Sequence, residues 1–209
     1  MMNKKAIEMS VGLIVTLIIC IIIFMLSLSF LFKWFGQAEQ LKAEIDKQTQ
    51  EQITAALSTG NQLVAIPITI QDAKRGSAAT FGVGVRNIAD EKKFSMAASY
   101  SAAYTPDGSA LPVDVQYITD KWLGAFAVTK TFDLKKNELA SIPVLIKVDA
   151  SIAPGRQTSI GDYVFNICIY PAPLRVDGSV PAPCTAGQFK NNPDVFYTGK
   201  IYQVTLKVR

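Results

Sequence analysis

DYVFNICIY, residues 162–170, places a large apolar side chain at every second position: Tyr163, Phe165, Ile167 and Ile169. Successive side chains of a β-strand point to opposite faces of the sheet, so this alternation predicts a strand with one face in a hydrophobic core. Strands that bury a single face are typical of antiparallel sheets. The stretch therefore indicates a β-sheet protein with a solvated outer surface.

The same two-residue period recurs on both sides of this stretch. It is found in TFGVGVRN (80–87), SIPVLIKVD (141–149) and KIYQVTLKV (200–208), and further strand candidates are 63–70, 94–104, 113–118 and 125–133. Turn residues separate these segments and no helical pattern interrupts them, which favours an antiparallel β-sandwich over residues 62–209. The order of the pieces, with IGDYVFNICIY entering a penultimate strand, resembles an immunoglobulin-like domain.

The N-terminal segment has a different character. Its sequence is MMNKKAIEMSVGLIVTLIICIIIFMLSLSFLFKW, residues 1–34, and 24 residues from Met9 to Phe32 carry no charge. A helix of that length would span roughly 36 Å, enough to cross a hydrocarbon core of about 30 Å. A secretory signal has a shorter apolar core, so the run predicts a transmembrane helix and not a discarded signal. The expected membrane-interface residues are Lys4, Lys5, Lys33 and Trp34. The positive-inside rule places the N-terminus in the cytoplasm.

The helical pattern continues beyond the apolar run. FGQAEQLKAEIDKQTQEQITAALSTGN, residues 35–61, has good helix formers, apolar residues near a 3.6-residue period and a Gly-Asn end. We therefore predict one helix over residues 7–58, apolar in its first half and amphipathic in its second. The predicted fold class is a long N-terminal α-helix, transmembrane and then amphipathic, followed by an all-β immunoglobulin-like antiparallel sandwich.

KKAIE, residues 4–8, leads directly into the apolar helix. This junction resembles the class III signal of type IV pilins, archaeal pilins and archaellins. The resemblance implies that a prepilin-type peptidase removes residues 1–6 by cutting between Ala6 and Ile7. It also implies that Ile7 and Glu8 take part in assembly, although Glu8 would be the second mature residue and not the fifth, as in bacterial members. The archaeal branch, which often lacks this glutamate, fits better.

The resemblance to pilins and archaellins also implies a function for this protein. It implies a structural, pilin-like subunit that polymerises with itself through its N-terminal helix into an extracellular type IV or archaellum-like filament. Before assembly the subunit would be a single-pass membrane protein at the cell surface. The alternative is a membrane-anchored surface protein with an immunoglobulin-like binding or adhesion ectodomain, because a stalk would show the same sequence pattern.

Composition bears on catalysis and on partners. The 209 residues include no histidine, the commonest general base and a frequent metal ligand, so we expect no enzyme, no catalytic residues, no metal site and no cofactor. The net charge of +4 is scattered and forms no basic block, so no nucleic-acid partner is expected. Trp122 with Tyr100, Tyr104 and Tyr117 could line a ligand groove or belong to the core.

Two of the three cysteines are candidates for a disulfide. Cys168 lies in the strand DYVFNICIY and Cys184 follows the loop PAPLRVDGSVPAPC (171–184), so an extracellular domain would permit a bridge between them. The alternative is two reduced thiols. Cys20, in the apolar run, is interpreted as a small apolar residue. The proline-rich loop is either a subunit contact or recognition surface, or a plain connection between edge strands.

Overall fold

The computed structural model describes residues 12–25, 47–59 and 62–209. The chain divides into two compact units, Met1–Glu44 and Ile45–Arg209. In the first unit, the described residues form one helix, α1, over 12–25. The second unit, called the β-unit below, begins with helix α2, Lys47–Thr59, and continues into the β-sheets.

The predicted long helix is wrong. The structure describes 14 residues of α1 and 13 of α2, and each of these stretches rises only about 20 Å, against the roughly 30 Å of a hydrocarbon core. Among the described residues, none of the helices combines the length and the apolar character that a membrane crossing requires. This finding contradicts the predicted single-pass membrane anchoring and the cell-surface topology predicted with it. The described part of the predicted amphipathic half is the 13-residue helix α2, which packs on the β-unit.

The rest of the described chain is mostly β-sheet. Its strands are β1 (Val64–Ala65), β2 (Ile70–Ala73), β3 (Ala78–Arg86), β4 (Lys92–Tyr104), β5 (Val128–Leu134), β6 (Leu139–Lys147), β7 (Ser151–Ala153), β8 (Arg156–Gln157), β9 (Gly161–Tyr170) and β10 (Tyr202–Val208). Short helices α3 (Val115–Ile118) and α4 (Ala186–Asn191), a π-helical turn (Thr119–Leu123) and two 3₁₀ turns (Gly124–Phe126, Pro193–Val195) connect them. Residues 113–118, predicted as a strand, thus contain α3.

The strands form two main sheets. One has three strands in the order β1-β3-β6, and the other has five in the order β2-β10-β9-β4-β5. Neighbours are antiparallel, except that β2 runs parallel to β10, with Ile70 beside Thr205. The small β7-β8 pair lies apart from both sheets. The predicted antiparallel arrangement therefore fails at one edge, where β2 joins the C-terminal strand in the same direction.

The two sheets enclose one hydrophobic core. Alternate residues of β9 are buried as their spacing predicts, and they share a cluster with inward residues of β3, β6 and β10. The ring of Trp122 is also buried here, 4.7 Å from the ring centroid of Tyr163. Its indole nitrogen donates a hydrogen bond to the carbonyl of Ser151 at 3.0 Å, so burial leaves no donor unpaired. The sequence interpretation of Trp122 as a core residue is therefore the correct one.

Helix α2 covers the outer face of the three-stranded sheet. Its side chains Ile53 and Leu57 are buried against Ala65 and lie directly over Gly84 of β3. The guanidinium of Arg86 donates a hydrogen bond to the carbonyl of Leu57 at 2.9 Å. The last carbonyls of a helix lack partners within the helix, and a cation there also favours the helix dipole. Arg86 therefore fixes the end of α2 to the sheet.

Candidate functional site

All of the predicted processing, assembly and membrane-interface residues lie outside the described residues. They are Lys4, Lys5, Ala6, Ile7, Glu8, Lys33 and Trp34. Processing between Ala6 and Ile7, and a role of Ile7 and Glu8 in assembly, stay predictions. The described residues offer other candidate surfaces: helix α1, the loop closed by the predicted disulfide, and the two ends of the five-stranded sheet.

Helix α1 exposes apolar side chains on all sides. Every residue from 12 to 25 is exposed, including Leu17 at 53% and Ile21 at 47%. The hydroxyl of Thr16, one of the few polar groups in the segment, donates a hydrogen bond to the carbonyl of Gly12 at 2.9 Å. A helix that is apolar all round is normally found buried among other helices or in lipid. The surface of α1 is thus a candidate interaction surface.

The predicted disulfide is confirmed. Cys168 and Cys184 are bonded, with their Cα atoms 5.7 Å apart and 16 positions apart in sequence. Both side chains are buried. Cys168 points to the outer face of the five-stranded sheet, opposite the core side of β9. The bridge therefore holds the following loop down on that outer face.

The stapled loop, residues 171–184, does not connect edge strands, because it follows β9 and precedes β10, which are inner strands of the five-stranded sheet. It builds a second small core on the outer face of the sheet, made of Ala97, Cys168, Tyr170, Ala182, Cys184 and Phe196. The hydroxyl of Tyr170 donates a hydrogen bond to the carbonyl of Ala182 at 2.7 Å, and burial raises the pKa of this tyrosine. The backbone N–H of Leu174 donates to the hydroxyl of Thr131 on β5 at 3.0 Å. These contacts fix the loop along its length.

The tip of this loop projects into solvent in a defined turn. Val176 is fully exposed, with Arg175 and Asp177 exposed on either side. The N–H of Gly178 donates to the carbonyl of Arg175 at 2.9 Å, which closes the turn. The carboxylate of Asp177 accepts hydrogen bonds from the N–H and the hydroxyl of Ser179, at 2.9 and 2.6 Å, and these bonds hold its pKa below the usual value. The tip therefore presents an apolar side chain between two opposite charges.

A shallow groove of about 290 Å³ lies where β9 begins and β10 ends. Pro106 and the exposed side chain of Ile160 supply apolar surface, while Asp162 and Lys207 supply one charge of each sign. Arg209 also borders the groove and donates a hydrogen bond to the carboxylate of Asp72 at 2.7 Å. No local sequence pattern indicates this groove, because its walls come from segments that only the sheet register brings together.

The ligand groove considered as one alternative for Trp122 and the three tyrosines is not formed as a unit. Tyr100 packs edge to face on Phe165, with centroids 6.2 Å apart, and burial raises its pKa to about 12. The hydroxyl of Tyr117 instead donates a hydrogen bond to the carboxylate of Asp149 at 2.7 Å, which raises the pKa of the tyrosine and lowers that of the aspartate. Tyr104 is exposed at the end of β4. Within the described ranges, acidic and cysteine side chains form no cluster of metal-ligand size.

Comparison with known proteins identifies no family. No family model and no curated protein matches the chain. Among solved structures, the chain is similar to an alkylpurine DNA glycosylase, AlkC, of Pseudomonas fluorescens, bound to DNA containing an abasic site analog. The identity is 11% and the TM-score 0.38, over 75% of this chain and 33% of that chain. This chain thus spans about a third of that enzyme's length.

Two further structures show a similar degree of likeness. One is the class 5 fimbriae chaperone CfaA, with 11% identity and a TM-score of 0.34 over 69% of this chain and 55% of that chain. The other is a Niemann-Pick type C2 protein from the Japanese carpenter ant, with 12% identity and a TM-score of 0.31 over 66% of this chain and 79% of that chain. At these identities and TM-scores the likeness carries no argument about function. The comparisons give no support to the predicted membership in the pilin and archaellin families.

Proposed function

We propose that this protein is a structural subunit, not an enzyme, and that it polymerises with copies of itself through helix α1. The observation that carries the proposal is the exposed apolar surface on every side of α1. Leaving a leucine or isoleucine in water costs about 1.5–3 kcal/mol relative to full burial. A helix of this kind is therefore stabilised strongly by association.

Other copies of the chain are the partners that fit this surface best. A flat or grooved partner would cover one stripe of the helix, whereas the apolar residues of α1 extend around it. Identical helices packed around one another can cover several faces of α1 with the same leucine and isoleucine side chains, which interlock well between helices. The internal hydrogen bond of Thr16 means that such a bundle would leave its hydroxyl proton paired.

The test changes two residues one turn apart on α1. We expect the full-length chain to sediment as large assemblies in detergent-free buffer, and the variant Leu17→Glu/Ile21→Glu to sediment as monomer. The reason is that a bundle would have to bury unpaired carboxylates, at a cost of several kcal/mol each. The matched control is Ile88→Glu/Val115→Glu, which alters two exposed apolar residues of the β-unit.

Sedimentation velocity and light scattering at micromolar concentration distinguish the outcomes. Assembly of the wild type and of the Ile88→Glu/Val115→Glu control, with loss in the α1 variant, supports the proposal. A monomeric wild-type chain contradicts it, and so does an α1 variant that assembles as well as the wild type. Circular dichroism of all three chains checks that the β-unit remains folded.

A further inference from the structure

The exposed loop tip and the groove lie at opposite ends of the five-stranded sheet. The loop follows Tyr170, which pairs with Ser95, whereas the groove adjoins Asp162, which pairs with Tyr104. Strand β9 has ten residues, so at about 3.3 Å per residue the two ends are roughly 30 Å apart. We call residues 175–177 the Val176 knob and the surface around Ile160, Asp162 and Lys207 the Ile160 groove. One copy of the chain thus carries the knob and the groove on distant surfaces.

The Val176 knob is ordered before any contact is made. The disulfide, the Tyr170 hydrogen bond and the turn at Gly178 all restrain the loop, and the guanidinium of Arg175 also donates to the carbonyl of Pro181. Loops that are already ordered lose little conformational freedom on binding. A fully exposed valine on a restrained turn is therefore well suited to insertion into a small apolar recess.

The Ile160 groove complements the knob in polarity and charge. It has a volume of about 290 Å³ and is bordered by the apolar Pro106 and by Ile160, which is 54% exposed, so it has room for one aliphatic side chain. Asp162 and Lys207 have no ion-pair partner among the residues that the structure describes. The knob carries one cation and one anion. The groove carries Asp162 and Lys207, which are register partners on β9 and β10, and a second cation, Arg209, which is paired with Asp72. Complementary charges of this kind set the orientation of a contact and exclude other partners.

We propose that the Val176 knob of one copy inserts into the Ile160 groove of the next, with Arg175 facing Asp162 and Asp177 facing Lys207. This inference rests on the proposed self-assembly and adds a second contact to it. The two surfaces differ, so the contact is heterologous and leaves a free knob at one end of the pair and a free groove at the other. Contacts of this type continue into a ring or an open array instead of stopping at a dimer.

Disulfide trapping tests the contact in the full-length chain. Val176→Cys and Ile160→Cys are introduced together with Cys20→Ser, assembly is verified by sedimentation, and copper-phenanthroline in air supplies the oxidant. We expect a ladder of covalent oligomers, with mass spectrometry showing a link between positions 176 and 160 of different chains. The control pairs Val176→Cys with Ile88→Cys, because Ile88 is 50% exposed but lies near the knob end of the sheet. That control is expected to give no ladder.

Charge reversal provides an independent readout in the same trapping background. In the Arg175→Glu variant, a glutamate on the knob would face Asp162 in the groove. In the Asp162→Arg variant, Arg175 on the knob would face an arginine in the groove. Each variant alone should give about tenfold less ladder, because like charges that face each other cost a kcal/mol or more. An equimolar mixture should restore the wild-type yield, since each knob then meets a groove of opposite charge. Restoration also shows that the loss did not come from the missing Arg175–Pro181 contact.

The outcomes separate this inference from the proposed function. Assembled protein without the 176–160 link overturns the knob–groove contact and leaves association through α1 standing. An Ile88 control that cross-links equally, or reversal variants that keep their yield, also overturns the contact. Wild-type chains that do not assemble at all overturn both proposals.

Discussion

A single glycine determines where helix α2 can dock. A Cβ atom built on Gly84 would overlap the Cγ2 atom of Ile53 and lie 2.8 Å from the Cδ1 atom of Leu57. Glycine is required here by the close approach of the helix and not by an unusual backbone angle. A glycine inside a strand pattern can mark such an approach, but the sequence does not reveal which element makes it.

The variant Gly84→Ala should therefore destabilise the β-unit. We expect the free energy of unfolding to fall by about 1–3 kcal/mol, the usual cost of adding a methyl group to a filled contact. Urea unfolding followed by tryptophan fluorescence measures the change. Gly187→Ala, in α4, is the matched control because no atom lies within 4 Å of the position that its new methyl group would take. Equal unfolding midpoints for the two variants would refute the packing argument.

Buried tyrosines predict how stability depends on alkaline pH. Burial raises the pKa of Tyr163 from 10.0 to about 12, although its hydroxyl donates to the carbonyl of Ser159. Tyr163 loses its proton more readily in the unfolded chain than in the folded protein. The stability that its protonated form contributes is therefore complete below pH 10 and is lost as the pH rises toward 12. Unfolding free energies measured along this range should decrease, and Tyr163→Phe should reduce the slope. An unchanged slope in that variant would assign the loss to other groups.

At the scale of elements, the stapled loop is the clearest case of long-range stabilisation. The bridge joins Cys168 and Cys184 across 16 positions and fixes the loop on the sheet. In the chain-entropy model a closed loop of this size contributes about 3 kcal/mol. We expect Cys168→Ala/Cys184→Ala to lower the free energy of unfolding of the β-unit by about that amount, as measured by guanidinium denaturation.

Two controls test whether the loss of stability comes from the disulfide. Cys20→Ser removes the free thiol of α1 and should leave unfolding of the β-unit unchanged. Wild-type protein unfolded in the presence of a reductant should match the double alanine variant, because both lack the bridge in the unfolded chain. A double variant as stable as the wild type would show that packing of the small outer core is sufficient without the bond.

Several elements could be predicted from sequence because their signals are local. Alternation predicted the strands at 80–87, 141–149, 162–170 and 200–208, and the disulfide was predicted from the expectation of an extracellular domain. The prediction failed at 113–118, where the carboxylate of Asp114 accepts a hydrogen bond from the N–H of Tyr117 and caps helix α3. A cap of this kind competes directly with a strand pattern of the same length.

Other features depend on contacts that no local pattern contains. The apolar run was interpreted as half of a continuous membrane helix, whereas α1 has 14 residues and α2 packs on a sheet through Ile53 and Leu57. A period of two also says nothing about the partner or direction of a strand, so the parallel pairing of β2 with β10 was missed. The Ile160 groove escaped prediction for the same reason.

At the scale of the whole molecule, association would combine two different kinds of contact. Helix α1 offers an apolar surface with little directional preference, whereas the Val176 knob and the Ile160 groove define an orientation through charge. Apolar burial supplies most of the free energy of association and complementary charges supply specificity. Variants of α1 should therefore change how much protein assembles, and reversal variants should change how neighbouring β-units are arranged.

The position of β10 between β2 and β9 also sets the order in which the chain can fold. Among the described strands, β2 is the second to be synthesised and its sheet neighbour β10 follows all the others. Pairing across so much of the sequence is slow, because loop-closure entropy must be overcome before the contact forms. Until then β2 is an unpaired edge, which another polypeptide can occupy. Pairing of β10 with β2 therefore closes an edge through which chains could otherwise aggregate.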